Sequence, residues 1–310
     1  MLKVLFSARP KAWDEYHAPL EAAFAAANLD VDLSRHHPPG EIDYIIFAPN
    51  GPVTDFAPYT RTKAVLSLWA GVETVVDNPT LTQPLCRLVD TSLTQGMVEW
   101  VTGHVLRHHL GMDAHIHGQD GIWRDQVSPP LATKRPVTIL GIGALGAACG
   151  QALRDLGFPV TGWSRSAKDV PGLRCLHGDD GLREALTGAQ IVILLLPQTP
   201  QTAEILNAER LALLAKGAFV INPGRGPLID DAALLQSLNC GQIAHATLDV
   251  FRIEPLPADH PFWAHPQVTV TPHIAATTRA ETAAQIIVDN IRRGETGHPF
   301  LNVVDRGLGY

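Results

Sequence analysis

Three side chains able to do carbonyl chemistry fall late in the chain, each at or just beyond a short apolar run. Arg225 lies in Asn222-Pro223-Gly224-Arg225-Gly226, Glu254 follows Asp249-Val250-Phe251-Arg252-Ile253, and His273 lies in Thr271-Pro272-His273-Ile274-Ala275-Ala276. A protonated imidazole can deliver a proton to a carbonyl oxygen that gains charge. A neighbouring carboxylate raises a histidine pKa and orients its ring, which suits Glu254. A guanidinium can hold a substrate carboxylate and polarise a ketone, which suits Arg225. Singly, Arg225 and Glu254 would also fit an interdomain ion pair, and His273 a satisfied core histidine. Together they point to hydride transfer onto a keto acid.

Such a reaction needs a hydride source, and the sequence offers a place for one. Val137-Thr138-Ile139-Leu140 runs into Gly141-Ile142-Gly143-Ala144-Leu145-Gly146. Alone, this glycine spacing is weak evidence. Here it closes an expected strand and opens an expected helix, with another strand following at Pro159. Gly141 permits the tight turn, Gly143 lets the backbone approach a pyrophosphate, and Gly146 lets the helix pack close to the sheet. The helix N-terminus attracts the phosphates. The second strand ends Gly162-Trp163-Ser164-Arg165-Ser166, with Lys168 beyond and no acid between Asp155 and Asp169. An Asp or Glu here would accept from the ribose 2′-OH of NAD. Arg165 instead suits a 2′-phosphate, and Ser164 and Ser166 can donate to it. The expected cofactor is NADP(H), with NAD(H) second.

The elements that must position these residues alternate along the chain. Val137–Gly141, Pro159–Trp163, Gln190–Leu196, Ala218–Asn222, Ala244–Phe251 and Val268–Thr271 read as six buried strands. Helical patterns at Leu145–Leu156, Gly181–Leu186, Ala208–Leu214 and Asp231–Leu238 separate most of them, implying a doubly wound parallel α/β sheet. Strand candidates Val4–Ser7, Val31–Leu33, Tyr44–Phe47 and Val65–Leu68, with an Ala-rich helix Trp13–Ala27, make a second, smaller α/β domain. Met97–Leu110 reads as a long helix leaving it. A helix Ala280–Arg293 returning to it would make that domain discontinuous. Gly111–Arg135 is expected to wrap the surface as irregular chain.

Composition narrows the classes. The chain has 310 residues, enough for two domains, and a net charge of −7 without a basic cluster, which argues against nucleic acid or an anionic membrane. The longest apolar run is too short to span a bilayer, and the N-terminus lacks the marks of a signal peptide. Four scattered cysteines suit reduced thiols in a cytoplasm. Cys149, inside the helix after the glycine turn, reads as a packing residue. His104 and His108 are four apart on a helix, but Val105 stands where a zinc motif would place Glu, so no metal is expected. No GxSxG elbow is present, which argues against an esterase.

Seven segments in order resemble the D-isomer-specific 2-hydroxyacid dehydrogenase family: Leu68–Glu73, Gly96–Trp100, Gly141–Gly146, Leu195–Thr202, Ile221–Gly226, Leu248–Phe251 and Thr271–Ala276. The Trp-Ser-Arg-Ser turn and the ending Val304–Tyr310 look most like its glyoxylate/hydroxypyruvate reductase branch. The resemblance implies a Rossmann domain at 99–276 and a flavodoxin-like substrate domain at 1–98 and 277–310. It makes Arg225, Glu254 and His273 the catalytic set, and implies a homodimer built through the nucleotide-binding domains. It adds Ala144, Leu145, Leu196, Pro197, Thr202, Asn222, Pro223 and Ala275 to the cofactor site, and gives Asp249 the nicotinamide carboxamide. Substrate would meet Trp69, the backbone of Ala70 and Gly71, Arg225 and His273. Two departures stand out. The loop Phe47–Pro52 lacks an expected Trp, and Trp69 replaces a smaller residue. The implied activity is NADPH-dependent reduction of glyoxylate, hydroxypyruvate or similar acids to D-2-hydroxy acids. Alternatives are the same chemistry on a bulkier acid such as phenylpyruvate, with Phe47 and Trp69 near the pocket, or a nucleotide-sensing protein without turnover.

Overall fold

In chain order the first elements are β1 (Leu2–Ser7), α1 (Pro10–Ala26), β2 (Val31–Ser34), β3 (Tyr44–Phe47), β4 (Ala64–Ser67) and β5 (Leu85–Cys86). Helices α2 (Thr91–Leu110) and α3 (Met112–His117) follow. Next come β6 (Val137–Leu140), α4 (Ala144–Asp155), β7 (Val160–Ser164), β8 (Arg174–His177), α5 (Gly178–Leu186) and β9 (Ile191–Leu194). The chain continues through α6 (Ala208–Leu211), β10 (Ala218–Asn222), α7 (Asp231–Asn239), β11 (Ile243–Leu248), α8 (Pro261–Ala264), β12 (Val268–Val270) and α9 (Ala280–Glu295). The computed structural model describes residues 1–123 and 128–309.

Two compact units result: Met1–Leu93 with Thr277–Tyr310, and Thr94–Ala276. In the first, five parallel strands take the order β2-β1-β3-β4-β5, the flavodoxin-like order. Alternate residues of each strand serve opposite faces. Val4, Phe6, Tyr44, Ile46 and Leu66 pack under α1 and α9, whereas Leu5, Ile45, Phe47 and Val65 pack against Phe56, Val72, Val76 and Leu81 from the connections.

In the second unit, seven parallel strands take the order β12-β11-β10-β9-β6-β7-β8. The chain enters at β6, winds outward to β8, then returns to β9 and winds outward to β12. The strand order therefore reverses between β6 and β9, where a doubly wound sheet opens a crevice at its carboxyl edge. Val192 and Leu194 face one core with α5 and α7, while Ile191 and Ile193 face another with α2 and α4. Each such buried aliphatic contributes about 1.5–3 kcal/mol. That two-sided burial is why these strands read as unbroken apolar runs.

Several expectations need correction. The second sheet has a seventh strand, β8: it is an edge strand whose end residues Arg174 and His177 are exposed, so it carries no apolar run. The two-residue β5 was too short to signal itself. Helix α2 begins six residues before Met97. The segment Gly111–Arg135 is not wholly irregular, since it holds the exposed helix α3 and a 3₁₀ turn at Ala132–Lys134. Residues 124–127 of that segment, and Tyr310, lie outside the described residues.

Candidate active site

The glycine turn has the geometry its spacing required. Gly141 has φ of 102°, and a Cβ there would lie 2.5 Å from the Leu195 carbonyl oxygen. A Cβ on Gly146 would lie 1.8 Å from the Gly141 carbonyl oxygen, so only glycine lets α4 start this close to β6. No side chain caps α4 at Gly143, and Gly143 and Ala144 are exposed. The first N–H groups of the helix therefore remain available to an anion.

At the end of β7 the predicted residues divide. Ser164 is buried and its hydroxyl donates to the Ser166 carbonyl (2.8 Å), which shapes the turn. Arg165 and Ser166 are exposed at its tip. Trp163 Nε1 donates to the Gly178 carbonyl (2.8 Å) and ties the end of β7 to the end of β8.

Other predicted cofactor residues hold turns of the same unit. Thr202 donates to the Pro197 carbonyl (2.7 Å) and accepts from the Thr199 amide (2.8 Å), fixing the loop after β9 beside buried Leu196. Asn222 is buried; its Nδ2 donates to the Arg225 carbonyl (2.9 Å) and its Oδ1 accepts from the Gly224 amide (3.1 Å). These bonds clamp the turn around buried Pro223 that presents Arg225. The Arg225 side chain is half-buried, with Nη1 donating to the Gly224 carbonyl (2.7 Å).

Glu254 and His273 meet. His273 Nδ1 lies 2.7 Å from Glu254 Oε2, and Glu254 Oε1 accepts from the Phe251 amide (2.8 Å). The Phe251 amide is a contributor that the sequence could not show, because every residue but proline carries one. With Nδ1 engaged by a carboxylate, Nε2 is the ring nitrogen left to face a reactant. His273 itself has φ of 54°, an uncommon conformation for a residue with a Cβ. Asp249 is completely buried, and its carboxylate accepts from Thr271 Oγ1, the Ile274 amide and the Ala275 amide. Asp249 and Ala275 are thus bonded to each other within the turn.

These groups share one edge. Asn222 registers with Leu248, and Leu248 with Val270, so Arg225, Glu254 and His273 all lie past the carboxyl ends of adjacent parallel strands. Leu140 registers with Leu194, which puts the glycine turn on the same edge. Four strand spacings separate β6 from β12, roughly 19 Å at about 4.8 Å each.

In the first unit, Trp69 is exposed at the end of β4, and the Ser67 hydroxyl bonds both its amide and its carbonyl (3.0 Å each). Among the described residues no protein acceptor takes the amides of Ala70 and Gly71. Phe47 is a core residue packed edge-on to Phe56 (5.5 Å), so it is no pocket wall. His108 is buried too, with Nε2 2.8 Å from Thr247 Oγ1 and its ring stacked on Phe219. Cys149 is buried, and burial pushes its thiol up to about 12, as befits a packing residue.

A doubly wound sheet with a dinucleotide turn and a carboxylate-bound imidazole on one edge defines a nucleotide-linked oxidoreductase architecture. Residues 102–275 match the model for D-isomer specific 2-hydroxyacid dehydrogenase, NAD binding domain. The chain belongs to the D-isomer-specific 2-hydroxyacid dehydrogenase family. It is 41% identical over 256 residues to the glyoxylate/hydroxypyruvate reductase A of Yersinia enterocolitica, covering 80% of this chain and 82% of that one. It is 43% identical to the Serratia proteamaculans protein of the same name, covering 81% and 82%. Among solved structures it resembles a D-isomer specific 2-hydroxyacid dehydrogenase from Xanthobacter autotrophicus Py2 in complex with NADPH and MES (TM-score 0.92, 41% identity, 100% and 99% covered). It also resembles an NADPH-dependent glyoxylate/hydroxypyruvate reductase from Sinorhizobium meliloti in complex with NADP and sulfate (TM-score 0.87, 33% identity, 100% of both chains).

Proposed function

We infer that this chain is an NADPH-dependent reductase that converts small 2-keto acids such as glyoxylate and hydroxypyruvate to D-2-hydroxy acids. The observation that carries the reading is the Glu254–His273 pair, 2.7 Å apart on the strand edge that also bears the glycine turn.

The residues present fit the dinucleotide. The cradle at Gly141, Gly143, Ala144, Leu145 and Gly146 admits backbone and phosphate but no added Cβ at Gly141 or Gly146. Arg165 and Ser166 would take the 2′-phosphate, where a carboxylate would repel it. Leu196, Pro197, Thr202, Asn222, Pro223, Asp249 and Ala275 would shape the remaining wall, mostly through the turns they hold. Bound NADPH supplies a hydride to the ketone carbon.

The chain's own residues do the rest. Glu254 orients the His273 ring through Nδ1. His273 gives the Nε2 proton to the ketone oxygen as that atom gains charge. Arg225 polarises the ketone and binds the substrate carboxylate. We assign the cofactor and the Arg225, Glu254 and His273 set to the second unit, and substrate-recognising roles to Trp69, Ala70 and Gly71 of the first, with Trp69 limiting substrate bulk.

No helix among the described residues is long and apolar enough to cross a membrane. We place the protein in the cytoplasm, where its free cysteines stay reduced. We also propose a homodimer. Ile116, Ile122, Trp123 and Leu131 expose 59%, 65%, 89% and 76% of their surface within one stretch of the second unit, more than scattered surface apolars require. Sedimentation of wild type and Trp123→Ser tests this, with a shift toward monomer expected in the variant.

The main test follows absorbance of NADPH and NADH with glyoxylate, hydroxypyruvate and phenylpyruvate. Consumption of NADPH with the two small acids is expected. Consumption of neither cofactor with any acid would end the reductase reading in favour of a nucleotide sensor. A higher kcat/KM for phenylpyruvate would move the substrate class to bulkier acids, for which exposed Trp69 would then be a platform.

A further inference from the structure

The backbone of His273 must be held, because its left-handed φ of 54° is a conformation L side chains rarely keep unaided. One buried group does the holding. Asp249 Oδ1 accepts from Thr271 Oγ1 at 2.6 Å and from the Ile274 amide at 2.9 Å. Its Oδ2 accepts from the Ala275 amide at 2.9 Å, and its main-chain carbonyl accepts from the His273 amide at 2.8 Å. These donors flank His273 on both sides in the chain. A single rigid carboxylate therefore closes the turn from either end and leaves residue 273 little rotational freedom.

The three side-chain bonds of Asp249 differ in kind. Two come from main-chain amides, which any residue but proline at 274 or 275 would supply. Thr271 alone contributes a side-chain donor, so it is the position at which the sequence chooses to satisfy this carboxylate. Asp249 is 0% exposed, so bulk solvent does not reach it. A buried carboxylate stripped of one partner recruits another by shifting its neighbours. The neighbours here are the residues that aim His273.

We propose that Thr271 and Asp249 are positioning residues that hold His273 in its left-handed turn and so aim the ring at the reacting oxygen. The proposal rests on the reductase reading for its kinetic consequence. It gives Asp249 a duty beside the expected contact with the nicotinamide, and it gives Thr271 one as well.

Thr271→Val keeps the shape and removes the hydroxyl; Thr271→Ser keeps the hydroxyl. In the full-length protein, Thr271→Val is expected to lower kcat about 10- to 100-fold, the scale of a small misplacement of a reacting group. KM for NADPH should stay within about twofold, and Thr271→Ser should recover most of the rate. Hydrogen exchange at the amides of residues 273–275 reads the same latch without turnover, and should quicken in Thr271→Val but not in Thr271→Ser. Unchanged exchange together with wild-type kcat overturns the proposal, as does a loss confined to KM for NADPH or a serine variant no better than the valine one. If wild type consumes no NADPH while exchange responds as stated, the reductase reading falls and the latch stands.

Discussion

Acid should destabilise this protein through a pair of histidines remote from the proposed chemistry. His108 is 5% exposed, stacked on Phe219 at 4.7 Å and 5.1 Å from the His245 ring. Burial, then the neighbouring His245 and Arg107, lower its pKa from 6.5 to about 3. His245, bonded to Thr269, is lowered to about 4, first by burial and then by Arg107. Both rings are less basic folded than unfolded, so below pH 6.5 the unfolded chain binds more protons. Stability attributable to them is full above that pH, falls as pH drops through 6.5, and keeps falling until the folded rings protonate near pH 3 to 4. At pH 5, His108 alone costs about 2 kcal/mol, from about 1.4 kcal/mol per pH unit over about 1.5 units. That figure is insensitive to the folded value so long as it lies well below 5. The assay is urea unfolding of wild type and His108→Gln at pH 7.5 and pH 5, since Gln can bond Thr247 but does not titrate. Wild type should lose about 2 kcal/mol more than the variant between the two conditions. Equal losses would refute the argument that His108 is neutral in the fold.

Three further outcomes are expected. Arg165→Ala should raise KM for NADPH about 10- to 100-fold, the loss of a charge-assisted bond of about 1.5–3 kcal/mol, and leave KM for NADH within about twofold; equal effects on both would mean that Arg165 does not read the 2′-phosphate. His273→Gln should lower kcat by roughly 10²- to 10⁴-fold, with Glu254→Gln in the same direction but smaller, because the amide still orients the ring; stopped-flow single turnovers would show whether the loss lies in the chemical step. Gly146→Ala forces a Cβ to within 1.8 Å of the Gly141 carbonyl oxygen, so it should cost about 1–3 kcal/mol or more of stability together with NADPH affinity, seen in thermal melts with and without NADPH.

Much of the architecture was legible because its causes are local. The glycine turn is dictated by sterics at Gly141 and Gly146, within a few residues of each other. The buried strands announce themselves because both faces of β6, β9 and β10 are apolar. Edge strand β8 escaped for the converse reason, having exposed ends and only two partly buried residues, Cys175 and Leu176, between them. The residue types Arg225, Glu254 and His273 pointed to the proposed chemistry, because few other combinations serve proton delivery and carboxylate binding.

What the amino-acid order determined by itself was therefore the set of turns, the alternation of strands and helices, and the inventory of reactive side chains, all governed by φ/ψ sterics and short-range periodicity. Only the tertiary structure decided what each polar group does. It turned the Ser164 hydroxyl onto the Ser166 carbonyl, buried Phe47 against Phe56, and gave Asp249 to the turn around His273 across 22 to 26 residues of chain. Those outcomes depend on which strands lie side by side and in what register, and burial and hydrogen-bond partners follow from that neighbourhood rather than from adjacent residues.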